Sequence, residues 1–231
     1  MKEICFCILI FLGILNIQFA FAQQKIKEGK VTFTFSFPDE EKVDQETFSR
    51  NEVKGSTYYF KNGLTRVEYH DDNQSTYIID PKKKDIYILK DNLALKQTFE
   101  EANENQAFLY GDTIAQITNE TKMIAGFKCQ KALYTYPVWQ KPSRTIEIWF
   151  TNDISATNFD FNFKGIDGFI MEYSLTDLVI ENNLEVDFRK IMTCSKVESE
   201  TVPDELFKVP NDYMIMTWDE FKKGARDGHV K

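Results

Sequence analysis

The chain has 231 residues, and its 36 acidic side chains outnumber its 28 lysines and arginines, which gives a net charge of −8 at pH 7. A surface of this sign repels the phosphates of nucleic acids, so nucleic acid is not an expected partner, and it is not expected to bind anionic lipid headgroups by charge alone. The two histidines cannot supply a zinc-binding cluster or a His-assisted nucleophile, and the sequence has no phosphate-binding loop, dinucleotide fingerprint or Gly-x-Ser-x-Gly elbow. We therefore expect no metal, no cofactor and no catalytic residue.

The first 22 residues have the organisation of a secretory signal peptide. Lys2 stands in a short charged start, residues 4–17 are mostly apolar, and Ala20-Phe21-Ala22 has the small-x-small spacing that signal peptidase recognises. The apolar run is too short to span a bilayer comfortably, and no later segment approaches transmembrane length. We predict a signal peptide over 1–22, a single antiparallel β domain over 23–231, and export to the periplasm or the outer membrane.

The first half of the mature chain indicates a meander of short strands. Residues 31–37 alternate apolar and polar side chains without interruption, which is typical of a strand with one buried face. Asn62-Gly63 supplies the positive φ angles of a tight hairpin turn. Further short strands are predicted at regular spacing, as in an antiparallel sheet: 57–60, 64–69, 76–79 and 86–89.

The second half combines longer strands with two helical candidates. Residues 93–107 are predicted to form a modest helix or a long loop, with Phe99 and Ala102 on one helical face. Residues 217–220 have the spacing of a capping box, which predicts a short helix to about Ala225. Strands are predicted at 127–136, 145–150, 169–176 and 184–194.

Three segments of the second half resemble a known family. Gly165-Ile166-Asp167-Gly168-Phe169-Ile170 resembles the Gly-Leu-Pro-Gly-Leu-Ile hexapeptide that names the GLPGLI family of exported Bacteroidetes proteins. Residues 124–132 resemble that family's Gly-aromatic-Lys-Cys-x-Lys-Ala segment, and residues 148–154 resemble its Trp-Tyr-Thr strand end. Asp167 stands where the family has proline, so the chain resembles a divergent member or a sister group.

The resemblance implies a fold and a location, but no reaction. Such proteins are similar to the periplasmic lipoprotein-carrier fold, an open antiparallel half-barrel around a hydrophobic groove. With the strand pattern, this predicts a mainly antiparallel β fold, an open half-barrel with one or two short helices. The family is functionally uncharacterised, so the resemblance transfers no binding or catalytic residue.

The aromatic content suggests a ligand-binding face. The chain has 20 Phe, 10 Tyr and 3 Trp residues. Alternating aromatic residues more often form core, but an aromatic concave face of a half-barrel would suit an acyl chain or another flat apolar ligand. The candidate ligand-binding residues lie on both sides of the Gly165–Gly168 turn: Phe159, Phe161, Phe163, Phe169, Met171 and Tyr173.

The Gly165–Gly168 turn itself has two interpretations. Asp167-Gly168 is a strong turn dipeptide, and glycine serves where φ is positive, which favours a role in shaping the backbone. The alternative is that the missing side chains let a ligand or partner approach the backbone closely.

Two cysteines remain after the predicted cleavage. Cys129 and Cys194 both fall on the apolar phase of their strands. In an oxidising exported compartment two such thiols often pair, which makes a Cys129–Cys194 disulfide one prediction. The alternative is two small buried hydrophobic residues, because sequence does not give the Cα separation that a bridge requires.

These observations favour a non-enzymatic protein that binds a hydrophobic molecule such as a lipid, or an envelope protein, on a concave sheet face. One alternative is an accessory module of an outer-membrane transport system, which would show a flat, solvent-facing apolar patch. The other is a carboxylate-based hydrolase, which requires two acids that converge in a pocket.

Overall fold

The structure, a computed structural model, describes residues 25–38, 54–70, 75–103, 113–138, 141–156, 158, 163–181 and 184–226. The predicted signal peptide lies outside these residues. The strands are β1 (Glu28–Ser36), β2 (Gly55–Lys61), β3 (Leu64–Tyr69), β4 (Thr76–Asp80), β5 (Asp85–Lys90), β6 (Leu93–Thr98), β7 (Gln116–Ile124), β8 (Phe127–Val138), β9 (Lys141–Thr151), β10 (Phe169–Glu181), β11 (Leu184–Glu198) and β12 (Met214–Thr217). All belong to one sheet, in the spatial order β12-β6-β5-β4-β3-β2-β1-β11-β10-β9-β8-β7.

The predicted meander of the first half is confirmed. Strands β1 to β6 each pair antiparallel with the next strand along the chain. The turn between β2 and β3 has φ angles of 52° at Asn62 and 91° at Gly63, as the Asn-Gly dipeptide predicts. Along β1, Val31 and Phe33 are buried whereas Thr32 between them is less so. The alternation in sequence therefore sets which face of the strand points inward.

The sheet is open and curled. Its outermost strands, β7 and β12, each pair with one neighbour in the part of the chain that the structure describes. Phe33, Tyr58 and Phe169, from β1, β2 and β10, meet with ring centroids 5.1 to 5.9 Å apart. Because β2 and β10 lie three strand spacings apart, about 14 Å in a flat sheet, this contact requires curvature. We call the side that carries these rings the concave face. The expected fold class, an open antiparallel half-barrel with short helices, is confirmed.

Residues 93–98 correct one prediction. They form strand β6 instead of the beginning of a helix or loop, and helical structure starts only at Phe99. Leu95 shares a face with its partner Ile88 in β5, whereas Ala94 packs in a second cluster on the outer side of the sheet. A strand covered on both faces lacks the simple alternation by which strands are recognised in sequence.

The sequence pattern predicts neither edge strand. Strand β7 is mostly polar and β12 has only four residues, so neither shows an alternating apolar face. The pairing of β7 with β8 is interrupted between Ile117 and Thr121. Interrupted pairing and short length are both common at sheet edges.

The chain between β11 and β12 crosses the outer side of the sheet. We call residues 199–213 the crossover segment; it leads to β12, which pairs with β6 in parallel. Its Val209 and Tyr213 pack against the second cluster, formed by Ile78, Leu89 and Ala94. The strands β4 to β6 are therefore covered on both faces.

The predicted C-terminal helix is confirmed at Trp218–Arg226. The backbone N–H of Glu220 donates to Thr217 Oγ1 over 3.3 Å, and the N–H of Thr217 donates to Glu220 Oε2 over 2.8 Å. This is the reciprocal pair of bonds of a capping box. The rings of Trp218 and Phe221 stack with centroids 5.6 Å apart.

Lys61 anchors the crossover segment to the sheet. Its ammonium donates to the Val202 carbonyl over 3.0 Å and lies 2.7 Å from Asp204 and 3.2 Å from Glu28. Glu28 also accepts a hydrogen bond from the Val202 N–H over 2.7 Å. The Val202 N–H lowers the pKa of Glu28, and the hydrogen bond from Lys61 lowers the pKa of Asp204.

Replacing Lys61 should weaken the fold in a pH-dependent way. Because both carboxyl pKa values are lowered in the folded chain, their stabilising effect is complete above the ordinary carboxyl range and is lost as the pH falls through the lowered values. We therefore expect Lys61→Met to lower the thermal unfolding midpoint at pH 7, and the difference from the unsubstituted chain to shrink as the pH approaches about 3. Lys83→Met, at an ammonium that is 73% exposed and lies away from Glu28 and Asp204, should leave the midpoint unchanged. A deficit in Lys61→Met that is equally large at both pH values would contradict this account.

Candidate functional site

Aromatic side chains from both halves of the chain line the concave face. The Phe33–Tyr58–Phe169 contact joins β1, β2 and β10. Farther along the sheet, Tyr134 of β8 meets Phe163 with ring centroids 4.8 Å apart. All five side chains belong to one buried cluster, so the apolar surface is continuous from β2 to β8.

The structure places four of the six predicted ligand-binding residues in this cluster. Each is between 0 and 4% exposed: Phe163, Phe169, Met171 and Tyr173. Phe159 and Phe161 lie outside the described residues. Because the four side chains pack against one another and against neighbouring core residues, an apolar ligand reaches them only when the rings separate. Their role as ligand-binding residues therefore stays a prediction.

A bulge at the start of β10 adds a residue to the buried surface. The pairing of β10 with β9 shifts between Ile170 and Glu172. As a result the successive residues Ile170 and Met171 are both buried, although simple alternation assigns them to opposite faces. Ile170 is thus a core residue that the sequence pattern does not predict.

The Gly165–Gly168 turn shapes the backbone. Gly165 has a φ of 96°, which side chains other than glycine rarely adopt. A Cβ on Gly168 would press on the ring of Phe150 and lie 2.8 Å from the Thr151 carbonyl oxygen. Asn158 holds the turn on its other side, since its Nδ2 donates to Gly168 O and its Oδ1 accepts from the Ile170 N–H, both over 2.8 Å. The structure favours the backbone interpretation over a ligand contact.

Two polar residues interrupt the concave face. Ser56 lies two residues before Tyr58 on the inward phase of β2, is fully buried, and its Oγ has no hydrogen-bond partner among the described residues. Lys190 lies opposite the buried Leu175, and its ammonium is 5.2 Å from the centre of the Phe35 ring. The signal that would have identified both is a polar residue at a position where the strand alternation requires an apolar one.

Cys129 and Cys194 are both buried and both free. The structure agrees with the alternative of two small buried hydrophobic residues, and a Cys129–Cys194 disulfide in an oxidising compartment stays a prediction. Burial raises the pKa of Cys129 to about 11 and that of Cys194 to about 12.

Both thiols should resist alkylation in the folded protein. At neutral pH a thiol with such a pKa has very little of the reactive thiolate, and burial blocks the reagent as well. We expect iodoacetamide to modify Cys129 and Cys194 only after denaturant is added. Peptide mass spectrometry identifies which cysteine is modified. Rapid modification of Cys129 or Cys194 in the folded chain would contradict the burial of that thiol.

A charged cluster surrounds Trp149 on the outer side of the sheet. Lys122 Nζ lies 2.6 Å from Glu172 Oε1 and 4.4 Å from the centre of the Trp149 ring. Lys131 lies 5.7 Å from the same ring and 3.2 Å from Glu147. The lysines and carboxylates are thus paired with one another around the ring. This arrangement stabilises the surface where the three segments of the family resemblance lie on adjacent strands.

The described residues give no support to carboxylate-based hydrolysis. Asp85 is the one acidic residue among them that is buried, and Lys96 Nζ lies 2.9 Å from its carboxylate. This hydrogen bond raises the pKa of Lys96, which keeps its ammonium charged beside the carboxylate. Within the same residues, no group of three His, Cys, Asp or Glu side chains is arranged to hold a metal ion.

Large apolar side chains are exposed at both edges of the sheet. Ile117 and Met123 of β7 are 51% and 64% exposed, and Met214 and Ile215 of β12 are 61% and 58% exposed. Ile114, just before β7, is exposed as well. None of the helices in the described ranges has the length and apolar content needed to cross a membrane.

Comparisons with known proteins show a shared fold and no family. Neither a family model nor a curated protein matches the sequence. Two crystal forms of PNGF-II align with 86% and 85% of this chain, at 16% and 15% identity and a TM-score of 0.52. The chain spans only 32% of the length of PNGF-II. At this identity the likeness shows the fold of that part alone.

Two more remote likenesses are to smaller proteins. Lipoprotein LppX of Mycobacterium tuberculosis aligns with 77% of this chain and over 89% of its own length, at 14% identity and a TM-score of 0.32. A LolA superfamily protein of Nitrosomonas europaea aligns with 80% of this chain and over 92% of its own length, at 10% identity and a TM-score of 0.31. Similarity at this level supports no statement about function. The comparisons thus establish a fold shared with about a third of PNGF-II, and no activity follows from them.

Proposed function

We propose that this chain is an exported envelope protein that binds an apolar molecule, such as an acyl chain, on its concave face. The observation that carries the proposal is the continuous aromatic surface from β2 to β8 on the inside of an open sheet. Contact between an apolar ligand and such a surface is favourable and does not require the ligand to adopt one particular geometry. This suits a chain-like ligand. No catalytic residue takes part in this role.

The open sheet explains how a packed interior would admit such a ligand. In a closed barrel, widening the interior breaks hydrogen bonds between strands. Here the edge strands β7 and β12 are not paired with each other in the described part of the chain, so the two walls of the curl move apart without breaking a strand ladder. When the rings separate, the ligand takes the place that each ring held against its neighbour, so the dispersion attraction is retained.

Export rests on the sequence. Residues 1–22 have the three regions of a signal peptide, and the resemblance to the GLPGLI family, of which we propose the chain is a divergent member, agrees with an envelope location. We expect the protein purified from a bacterial envelope to begin at Gln23. An intact mass that retains residues 1–22 would refute cleavage.

Organic extraction tests the binding function. The chain is expressed with residues 1–22, purified without detergent, extracted with solvent and examined by mass spectrometry. We expect one or a few apolar molecules in near-stoichiometric amount, enriched over their share of the host's envelope lipids. The same protein, stripped and refolded without lipid, is the control and should yield none. An extract no richer than that of an unrelated exported protein would contradict the proposal.

The exposed apolar residues at the sheet edges favour a second candidate, docking to an envelope protein through β7. Ile117 and Met123 lie on a strand whose outer edge pairs with no other strand in the described part of the chain. Partners that add a strand to a sheet bind at edges of this kind. A photoreactive residue at position 117 or 123 should then form protein adducts in living cells that a photoreactive residue at the exposed control position Glu200 does not form. Equal adducts at all three positions would exclude β7 as a docking edge.

A further inference from the structure

We infer that the ligand is a long-chain carboxylate, whose head group is held at the Phe35 end of the concave face by Ser56 and Lys190. The inference rests on the proposed function and names the ligand class and its two polar contacts. Both contacts come from polar side chains that stand among the apolar side chains of the concave face.

Ser56 is the stronger of the two observations. It is fully buried, and its Oγ has no hydrogen-bond partner among the described residues. Buried hydroxyls without a partner are rare in native proteins because they lose their bonds to water and gain nothing in return. The next residue shows the usual arrangement, since Thr57 Oγ1 lies 2.9 Å from His70 Nε2.

The direction of the Ser56 side chain follows from the strand register. Ser56 pairs with Phe33 on one side and with Tyr69 on the other, and paired residues share a face of the sheet. The hydroxyl therefore lies on the concave face, beside the Phe33–Tyr58–Phe169 rings. Apolar ligand sites typically contain a few polar groups that fix the ligand's orientation.

Lys190 is the second, independent observation. It stands between Phe188 and Met192 on the inward phase of β11, where both neighbours are buried. Its ammonium lies over the Phe35 ring and has no carboxylate within ion-pair distance in the described part of the chain. By contrast, Lys61 and Lys96 each lie within 3 Å of a carboxylate oxygen. A half-buried cation on an apolar face, facing aromatic rings, is suited to an anion that arrives with its own apolar tail.

Both residues lie toward the end of the concave face where β1 stops. Ser56 is opposite Phe33, and Lys190 is four residues before Cys194, the other partner of Phe33, with its ammonium reaching Phe35. Strand β1 ends there at Ser36, which is opposite Ile191, and β2 begins there at Gly55. With the carboxylate of the ligand at this end, the ligand's hydrocarbon chain would extend over Phe169 toward the middle of the face. The partial exposure of Lys190 places the charge near water and the apolar tail in the interior.

Displacement of the neutral dye N-phenyl-1-naphthylamine from the exported full chain tests the inference. The competitors are hexadecanoate, hexadecanol and hexadecane. We expect hexadecanoate to bind about three- to tenfold more tightly than hexadecanol, as for one charge-assisted hydrogen bond. Lys190→Met should abolish that preference, and Ser56→Ala should weaken both polar ligands about two- to tenfold without affecting hexadecane.

Matched controls separate ligand contact from damage to the fold. Lys196→Met changes another lysine of β11, which is 64% exposed and paired with Glu198, and it should leave all three affinities unchanged. The ligand-free unfolding midpoint of Ser56→Ala should not fall, because the variant removes a hydroxyl for which the described residues offer no partner. Equal binding of all three competitors, unchanged in both variants, would overturn the inference and leave the proposed function standing. Failure of every competitor to displace the dye would overturn both.

Discussion

Phe169→Ala is expected to lower the free energy of unfolding by about 3–5 kcal/mol, the usual cost of removing a buried aromatic ring. The ring is 1% exposed and touches Phe33 and Tyr58, with centroids 5.9 and 5.8 Å away. It joins β10 to β1 and β2 across the curl, so its removal loosens the contact between the two halves of the sheet. Urea denaturation followed by circular dichroism measures the loss.

Met123→Ala is the matched control for this substitution. Met123 is also a large apolar residue, but it is 64% exposed on the edge strand β7, and its truncation should change the stability by less than about 0.5 kcal/mol. If Phe169→Ala cost no more than Met123→Ala, the ring would lie in an open groove instead of a packed core. That result would contradict the close packing of Phe169 against Phe33 and Tyr58.

Gly168→Ala is expected to lower the free energy of unfolding by about 1–3 kcal/mol, the range found for overpacked sites. The added Cβ would press on the Phe150 ring and lie 2.8 Å from the backbone oxygen of Thr151. A ring can rotate aside, but the oxygen belongs to strand β9 and moves only with its strand. The cost therefore reflects a displaced backbone at the start of β10.

Gly126→Ala provides the comparison, because a Cβ at that position has no neighbour within 4 Å. Its φ of 86° still strains alanine, so this variant reports the strain of a positive φ without a clash. We expect Gly168→Ala to be the more destabilising of the two in urea denaturation. The reverse order would mean that close packing is not what requires glycine at position 168.

The regular strands of the first half could be predicted because each buries one face. In β1 every second residue is apolar: Val31, Phe33 and Phe35. This two-residue period shows which face of the strand points inward. The Asn62-Gly63 dipeptide fixes its turn for a local reason, the positive φ angles. The capping box at Thr217 and Glu220 is equally local.

The parts that could not be predicted depend on tertiary contacts. Residues 93–98 form a strand because the crossover segment covers their outer side, a contact made by residues more than 100 positions later in the chain. The polar strand β7 is held by its pairing with β8. The strand order, which puts Cys129 and Cys194 on strands that are not neighbours, is not revealed by alternation.

The burial of the candidate residues was predicted in part, whereas their role in binding a ligand stays a prediction. Alternation correctly placed Phe163, Phe169, Met171 and Tyr173 on an inward surface, but it gave no information on whether that surface is packed or open. The positions of Ser56 and Lys190 were visible in sequence only as interruptions of an apolar phase. Their significance depends on the register, which brings both toward the end of the face where β1 stops.

Photocrosslinking with a fatty acid that carries a photoreactive group near the end of its chain tests the central claim most directly. The proposed function predicts labelled peptides from the concave face, around Tyr58 on β2 and Phe169–Tyr173 on β10, and loss of this labelling when excess hexadecanoate is added. Labelling confined to the exposed edges β7 and β12, or labelling that excess hexadecanoate does not reduce, would contradict binding on the concave face.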